Sequence, residues 1–293
     1  GGLDNPQATT NTLLDNGVYI IETGPDFFLN SSDEKIDNVA KEFLAKGISI
    51  RSVHAPFGNE CNLSDFDTDG RQKAIQTHRD LLYKVAGADI EMIIIHPGVN
   101  VRSKEDIESM NLLAIDSISQ LIATAEETGV ALAVENMLPG HPGCEIRHIM
   151  NIIEQIRSPS LGICFDTGHA HVCGNMEEYM SAFGEDIISI HLQDNDGTRD
   201  MHLQPPYGTI NWRIFTEILQ KINYNRPITI ESAPWGGASF KQMIREVNAL
   251  LESFINPDEW QDNNANISLR CLKCGHNIFR FKGQWFCNCE YGI

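Results

Sequence analysis

The fold of this chain is decided by six short stretches: ISIRSVH (48–54), MIIIH (92–96), VALAVE (130–135), LGICFDTGH (161–169), IISIH (187–191) and PITIE (227–231). Each is an apolar, largely β-branched run that predicts a buried strand, and each stops at a His or a carboxylate. Helical patterns separate the runs, which is typical of a parallel sheet. In a parallel barrel all strands point the same way, so the side chains at their carboxyl ends meet at one mouth.

Nine His, Asp and Glu side chains lie at or just beyond such strand ends. One His in such a place is usually a surface residue, but chance does not easily put nine potential ligands at the same position. Charged groups there are costly unless they are paired or bind metal, and imidazole with carboxylate is the ligand set of zinc, manganese or iron(II). The sequence therefore predicts a catalytic divalent-metal site, whose candidate ligands are His54, His96, Glu135, Asp166, His169, His191, Asp200, His202 and Glu231.

The alternation of strands and helices begins with the strand-like GVYIIE (17–22) and continues to about residue 255. It contains seven strands, one fewer than a closed (β/α)8 barrel requires. Residues 8–16 read as a helix, and the Gly, Asp, Asn and Pro content of residues 1–7 does not favour a strand. We therefore predict an α/β fold, a (β/α)8 TIM barrel whose first strand is irregular or missing from this sequence.

The chain divides into a barrel domain (1–255), a polar linker (256–268) and a small C-terminal module (269–293). The module carries Cys-x-x-Cys-Gly, a predicted hairpin with its turn at Lys282–Gly283, and Cys-x-Cys. Because no secretion signal precedes the barrel, metal binding is favoured over disulfides. The hydrophobic core of a module this small is not sufficient for folding without a bound metal or another cross-link. We predict a zinc ribbon with a structural Zn²⁺ held by Cys271, Cys274, Cys287 and Cys289.

The charge of the chain constrains its partners. The 22 basic and 40 acidic residues give a net charge of -18, which disfavours attraction to nucleic acid or anionic membranes. A small-molecule carbohydrate is the expected partner. Basic residues alternate with aromatic ones in the C-terminal module, a mixture that could stack on single-stranded nucleic acid, so nucleic acid is kept as an alternative. No apolar stretch approaches the roughly 18 residues of a membrane span, and a cytoplasmic protein is expected. A homo-oligomer remains open.

Seven motifs together resemble the xylose-isomerase-like TIM-barrel superfamily, which contains the sugar phosphate isomerases and epimerases and the endonuclease IV-type apurinic (AP) endonucleases. The resemblance covers about residues 17–255. The motifs are HAPF (54–57), HPG (96–98), VEN (134–136), FDTGH (165–169), HLQDNDG (191–197), RDMHLQPPYGTINW (199–212) and IES (230–232).

The two branches of this superfamily imply different chemistry. Resemblance to the isomerases implies one divalent ion, Mn²⁺, Zn²⁺ or Co²⁺, on Glu135, Asp166, His191 and Glu231. Glu135 and Glu231 would then be catalytic proton-shuttling bases, and His169 would contact a substrate oxygen. Resemblance to the endonucleases implies three zinc ions on all nine candidate ligands, which suits phosphodiester hydrolysis.

Three features favour the carbohydrate branch. The loop DNDGTRDMHLQPPYGTINW resembles the isomerase pattern more than the endonuclease pattern. The segment GNECNLSDFD (58–67) lacks residues that would wedge into stacked bases, and the barrel is strongly acidic. We predict an isomerase or epimerase that acts on a small sugar or sugar phosphate through an enediolate, with one or two ions in the barrel. Alternatives are a zinc-dependent phosphodiesterase or AP endonuclease, a metal-dependent dehydratase or lyase, and a binding module without activity.

The remaining histidines invite simpler interpretations. His78 and His148 lie in helical patterns and are expected to be exposed, whereas His141 lies in a Pro and Gly loop close enough to the mouth to reach substrate. Cys164 lies within a strand and is expected to be packed in the core.

Overall fold

The computed structural model describes residues 2–101 and 103–255, and beyond them only the backbone of three short strands. None of the helices described is long and apolar enough to cross a bilayer. The helices are α1 Pro6–Asn16, α2 Asp26–Asn30, α3 Asp33–Ala45, α4 Thr68–Ala86, α5 Lys104–Thr128, α6 Ile146–Ile156, α7 Thr167–Val172, α8 Met176–Phe183, α9 Trp212–Lys221 and α10 Phe240–Ile255. The strands are β1 Ile20–Thr23, β2 Ser49–His54, β3 Met92–Ile95, β4 Ala131–Glu135, β5 Leu161–Asp166, β6 Ile187–Leu192, β7 Thr229–Ile230, β8 Leu269–Arg270, β9 Asn277–Phe281 and β10 Gln284–Cys287.

Strands β1 to β7 form one parallel sheet in sequence order, and the helices between them provide the crossovers. This nearly closed barrel confirms the predicted TIM-barrel architecture and its seven strands. Within the described residues, Gly2–Asp4 form a short 3₁₀ turn rather than an eighth strand. A cavity of about 570 Å³ lies between β1 and β7, lined by residues of both strands and of α10.

The core has two layers because the central strands are buried on both faces. Met92, Ile94, Ala133 and Cys164 fill the inside of the barrel. The alternate strand residues pack outward against the helices in a much larger apolar cluster. Cys164 is therefore a packed core residue as expected, and burial raises the pKa of its thiol to about 12.

Capping side chains set the helix boundaries. The Ser103 side chain accepts a hydrogen bond from the Asp106 N–H at 3.0 Å at the start of α5, and Gly129 ends this helix in the left-handed conformation at φ 71°. Helix α4 starts at Thr68, because Asp67 accepts from the Gly70 N–H at 3.0 Å. Strand β7 is shorter than predicted, since Pro227 has no N–H to contribute to a ladder.

The expectation that His78 and His148 are exposed is wrong. Both side chains are buried, at 1% and 0% exposure, on the inward faces of α4 and α6. Each has a partner that makes burial tolerable. His78 Nδ1 lies 2.8 Å from the Ala74 carbonyl oxygen, and His148 Nε2 lies 3.2 Å from Glu108 Oε1.

We expect the buried His78 to make the barrel sensitive to acid. Burial lowers the pKa of His78 from its ordinary 6.5 to about 4. Between these pH values the unfolded chain binds a proton that the folded chain does not, so stability falls as the pH drops from 6.5 toward 4. The loss approaches about 3 kcal/mol. Urea unfolding of wild type and His78→Leu at pH 7.5 and pH 4.5 should show a smaller acid-induced loss in the variant; equal losses would contradict this.

Strands β8, β9 and β10 form a separate antiparallel sheet in which Phe281 pairs with Gln284. The predicted hairpin is thereby confirmed at the level of the backbone. The linker 256–268 and the side chains of the four ribbon cysteines, Cys271, Cys274, Cys287 and Cys289, lie outside the described residues. The structural zinc remains a prediction.

Candidate metal centre

The carboxyl ends of β2 to β7 bring the nine predicted ligands to one mouth. His54, Glu135 and Asp166 are the last residues of their strands, and His96 and Glu231 directly follow β3 and β7. Most of them line a cavity of about 580 Å³, whereas Asp166 and His191 are fully buried. The nine side chains form three sets, which we call the central group (Glu135, Asp166, His191 and Glu231), the His54 group (His54, His96 and Glu135) and the Asp200 group (His169, Asp200 and His202).

The central group has the geometry expected of a cation site. One ligand atom from each of its four side chains lies within 4.8 Å of the others. His191 Nδ1 is 3.5 Å from Glu135 Oε1 and 3.0 Å from Glu231 Oε2. Both ring nitrogens of His191 and Glu231 Oε2 are nevertheless buried without a well-formed hydrogen bond. Buried polar atoms in this condition require a partner, and three carboxylates with one imidazole suit Mn²⁺, Co²⁺ or Zn²⁺.

The His54 group shares Glu135 with the central group. His96 Nε2 and His54 Nε2 lie 3.1 and 3.4 Å from Glu135 Oε2. The other carboxylate oxygen, Oε1, faces His191 Nδ1 and also His169 Nδ1, at 3.4 Å. Oε2 of this buried carboxylate therefore faces the His54 group, whereas Oε1 faces one histidine of the central group and one of the Asp200 group.

The Asp200 group is assembled by side chains from helix α7 and from the loop that follows β6. Asp200 Oδ2 lies 3.0 Å from His202 Nε2 and 3.6 Å from His169 Nε2. The Nδ1 atoms of both rings lie 2.9 Å from backbone carbonyls, His169 from Asn136 and His202 from Glu231. A backbone acceptor on Nδ1 leaves Nε2 available as a ligand atom.

Histidines keep the buried Glu135 and the partly exposed Asp200 ionised. Burial acts to raise the pKa of Glu135, but the surrounding imidazoles, first His191 and then His96, outweigh it and hold that pKa well below its usual range. Partial burial acts to raise the pKa of Asp200 as well, but hydrogen bonds with His169 and His202 outweigh it and hold that pKa below its usual range. Asp166 differs, because burial raises its pKa to about 7. A cation in the central group would favour its ionised form.

Three residues that support the ligands were not identified from the sequence: Glu22, Asn136 and Gln193. Glu22 Oε1 lies 3.0 Å from His191 Nε2, and its other oxygen accepts from Ser52 Oγ at 2.7 Å. A signal was present, since the run GVYIIE also ends at a carboxylate. The Asn136 side chain accepts from the Asp166 N–H at 2.9 Å and donates to its carbonyl at 3.0 Å. Such residues orient ligands without binding the ion themselves.

The remaining wall of the cavity mixes aromatic, apolar and amide side chains. Phe57 is 63% exposed, and its ring lies 4.8 Å from that of His96. His141 lines the cavity, so it lies beside the mouth as expected. Among the described lining residues there is no Lys or Arg; the others are Gly58, Asn59, Gly98, Val99, Asn100, Met137 and Leu138.

Comparison with known proteins gives relatives of both predicted kinds. An uncharacterised protein of Methanocaldococcus jannaschii is 32% identical over 186 residues, which is 61% of this chain and 63% of that protein. A probable endonuclease 4 of Mycoplasmoides gallisepticum is 26% identical over 76% of this chain and 80% of its own length. The crystal structure of a D-tagatose 3-epimerase-like protein superposes with a TM-score of 0.75 at 24% identity, over 87% of this chain and 96% of that one.

The family assignment rests on a match to most of the barrel. The model of the family described as "Xylose isomerase-like TIM barrel" matches residues 12–252. The same residues contain the seven parallel strands and all nine candidate ligands. This chain therefore belongs to the xylose isomerase-like TIM barrel family.

Proposed function

We propose that this chain is a divalent-metal-dependent isomerase or epimerase that moves a proton on a small sugar through an enediolate. The observation that carries the proposal is the placement of Glu135 and Glu231, which share the central group and both border the same cavity. Two carboxylates at one reacting carbon allow one to remove a proton and the other to return it. The relatives include proteins named for either branch, so the arrangement of this site carries the choice.

The cavity favours a small, uncharged substrate. Its volume of about 580 Å³ is that of a small-molecule site. The described lining residues offer imidazoles, the Asn59 and Asn100 amides and the exposed Phe57 ring, but no guanidinium or ammonium group for a phosphate. We therefore favour an unphosphorylated keto-sugar or aldose over a sugar phosphate.

The four side chains of the central group would hold the ion. When bound, a divalent ion polarises a carbonyl and its neighbouring hydroxyl, which makes the carbon-bound proton between them more acidic. Glu231 is the carboxylate that substrate meets first, because its side chain is 34% exposed whereas that of Glu135 is 2% exposed. Glu231 therefore removes the proton, and Glu135 stands as the second proton carrier. When the Asp200 group holds no cation, protonated His169 can donate a hydrogen bond from Nε2 to a substrate oxygen, since neighbouring carboxylates outweigh burial and raise its pKa to about 10.

Solvent exchange tests this proposal. Metal-free protein reloaded with Mn²⁺ or Co²⁺ is incubated in D₂O with a panel of ketoses, aldoses and keto-inositols. We expect deuterium at a carbon next to the carbonyl of at least one sugar, detected by NMR, and no incorporation without metal. Absence of exchange across the panel, together with cleavage of an abasic DNA duplex, would overturn the proposal.

A second candidate, phosphodiester hydrolysis, is favoured by one specific observation, the sharing of Glu135 between two ligand sets. A bridging carboxylate is typical of sites that hold two ions, and paired ions suit attack of water on a phosphodiester. The ion count separates the candidates. We expect one or two ions in the barrel by elemental analysis of a Cys271→Ser/Cys274→Ser variant, from which the predicted ribbon zinc is removed. Three ions, with DNA cleavage that His96→Ala abolishes, would favour hydrolysis.

A further inference from the structure

Gln193 occupies a fully buried position between the central group and the Asp200 group. It follows β6, two residues after His191, and its exposure is 0%. Its backbone is fixed to Thr167, whose Oγ1 accepts from the Gln193 N–H at 3.0 Å and donates to the Gln193 carbonyl at 2.7 Å. Its amide packs on Gly168, where a Cβ atom would lie 2.3 Å from the amide carbon. The absence of a side chain at position 168 therefore makes room for this amide.

The side-chain amide of Gln193 contacts one ligand in the central group and two in the Asp200 group. Nε2 donates to Asp200 Oδ1 at 2.6 Å and to Asp166 Oδ1 at 3.4 Å, while Oε1 accepts from the His202 N–H at 3.1 Å. An ionised carboxylate only accepts hydrogen bonds, and a backbone N–H only donates. The three partners therefore fix which end of the amide is the nitrogen and which is the oxygen.

These contacts determine how the Asp200 group presents its ligand atoms. Because Gln193 occupies Oδ1 of Asp200, the other oxygen, Oδ2, faces the His169 and His202 rings. His202 has φ 47°, a left-handed conformation that costs free energy in a residue with a side chain. The bond from its N–H to Gln193 holds the backbone in this conformation. Removing the amide would release both Asp200 and His202.

We propose that Gln193 is a positioning residue, whose amide holds Asp200 and His202 in the arrangement in which the Asp200 group can bind a cation. The inference rests on the metal centre of the proposed function but not on the reaction catalysed there. Gln193 is not itself a ligand in this arrangement, since its amide hydrogen bonds are made to ligands. Loss of its amide should weaken one cation site and spare the other.

The test is Co²⁺ titration of metal-free Gln193→Met, followed by visible absorption and by competition with a chelator. Met has a similar length and lacks the amide, and Gln193→Asn keeps an amide that is too short to reach both groups. The matched control is Gln204→Met. Gln204 is equally buried, but its amide donates to Glu246 Oε2 at 2.7 Å and accepts from the Trp235 N–H at 3.0 Å, and neither partner is a candidate ligand.

In both Gln193 variants we expect the Asp200 group to lose affinity for Co²⁺ about 10- to 100-fold, the usual cost of losing a supporting residue. The affinity of the central group should stay within about threefold of wild type, a change of less than 1 kcal/mol. Gln204→Met should change neither affinity. Unchanged affinities in Gln193→Met, an equal loss in Gln204→Met, or a wild type that binds one barrel ion only would overturn the proposal. If sugars fail to exchange deuterium while this affinity pattern holds, only the proposed function fails.

Discussion

Replacement of Glu231 by Gln is expected to slow exchange of solvent deuterium into the substrate by about 10²- to 10⁴-fold, the range for loss of a general base. Glu231 is the more exposed of the two carboxylates that border both the cavity and the central group. A Gln amide has the same shape and keeps an oxygen for the cation, but it cannot accept the proton from carbon. The loss should therefore be in turnover, measured by the initial rate of deuterium incorporation at saturating Mn²⁺.

A control for Glu231→Gln is available on the surface of the barrel. Glu217 is exposed and pairs with Arg213 on α9, so Glu217→Gln should leave the exchange rate unchanged. Metal retention by Glu231→Gln is checked by elemental analysis after gel filtration. If the variant retains metal and exchanges deuterium within about threefold of the wild-type rate, Glu231 is not the base and the enediolate proposal loses its main support.

Glu135→Ala should be the most damaging single change for cation binding. Its two oxygens face two ligand sets, Oε2 towards the His54 group and Oε1 towards His191 of the central group. Removing this buried charge also leaves the surrounding imidazoles without their counter-ion, which typically costs about 3–5 kcal/mol. We expect the dissociation constant of the central site to rise on the order of 10²- to 10³-fold, measured by Co²⁺ competition with a chelator.

His96→Ala is the matched comparison for Glu135→Ala. His96 belongs to the His54 group alone, so its loss should leave the central site within about threefold of wild type. A Glu135→Ala variant whose central site binds Co²⁺ as tightly as wild type would show that Glu135 is not a ligand of that site.

The sequence was sufficient to predict the barrel and the meeting of its ligands, because both follow from strand periodicity and parallel direction. His54 and Glu231 are far apart in the chain, yet each ends a strand that opens at the same mouth. The pairing within the site was not predictable. Which oxygen of Glu135 faces which imidazole depends on rotamers selected by neighbours from several strands. The role of Gln193 depends on its contacts with the end of β5, with α7 and with the loop that carries Asp200, and no periodic pattern encodes them.

The burial of individual polar residues in helices could not be predicted from the sequence either. His78 and His148 interrupt apolar helix faces, and a polar residue in a helical pattern is usually taken to face solvent. Their burial depends on one acceptor each, the Ala74 carbonyl and the Glu108 carboxylate. Glu22 could have been predicted. Its strand, like the others, is an apolar run that stops at a carboxylate, and this pattern identified the ligands at the other strand ends.

The central group bears on how the barrel is held together as well as on its chemistry. Its four side chains come from the carboxyl ends of β4 to β7, so a cation bound there would tie together the ends of four successive strands. A ligand that binds only the folded state stabilises it by mass action. Scarcity of metal would therefore lower the folded population, and a chain that unfolds more often is exposed more often to proteases.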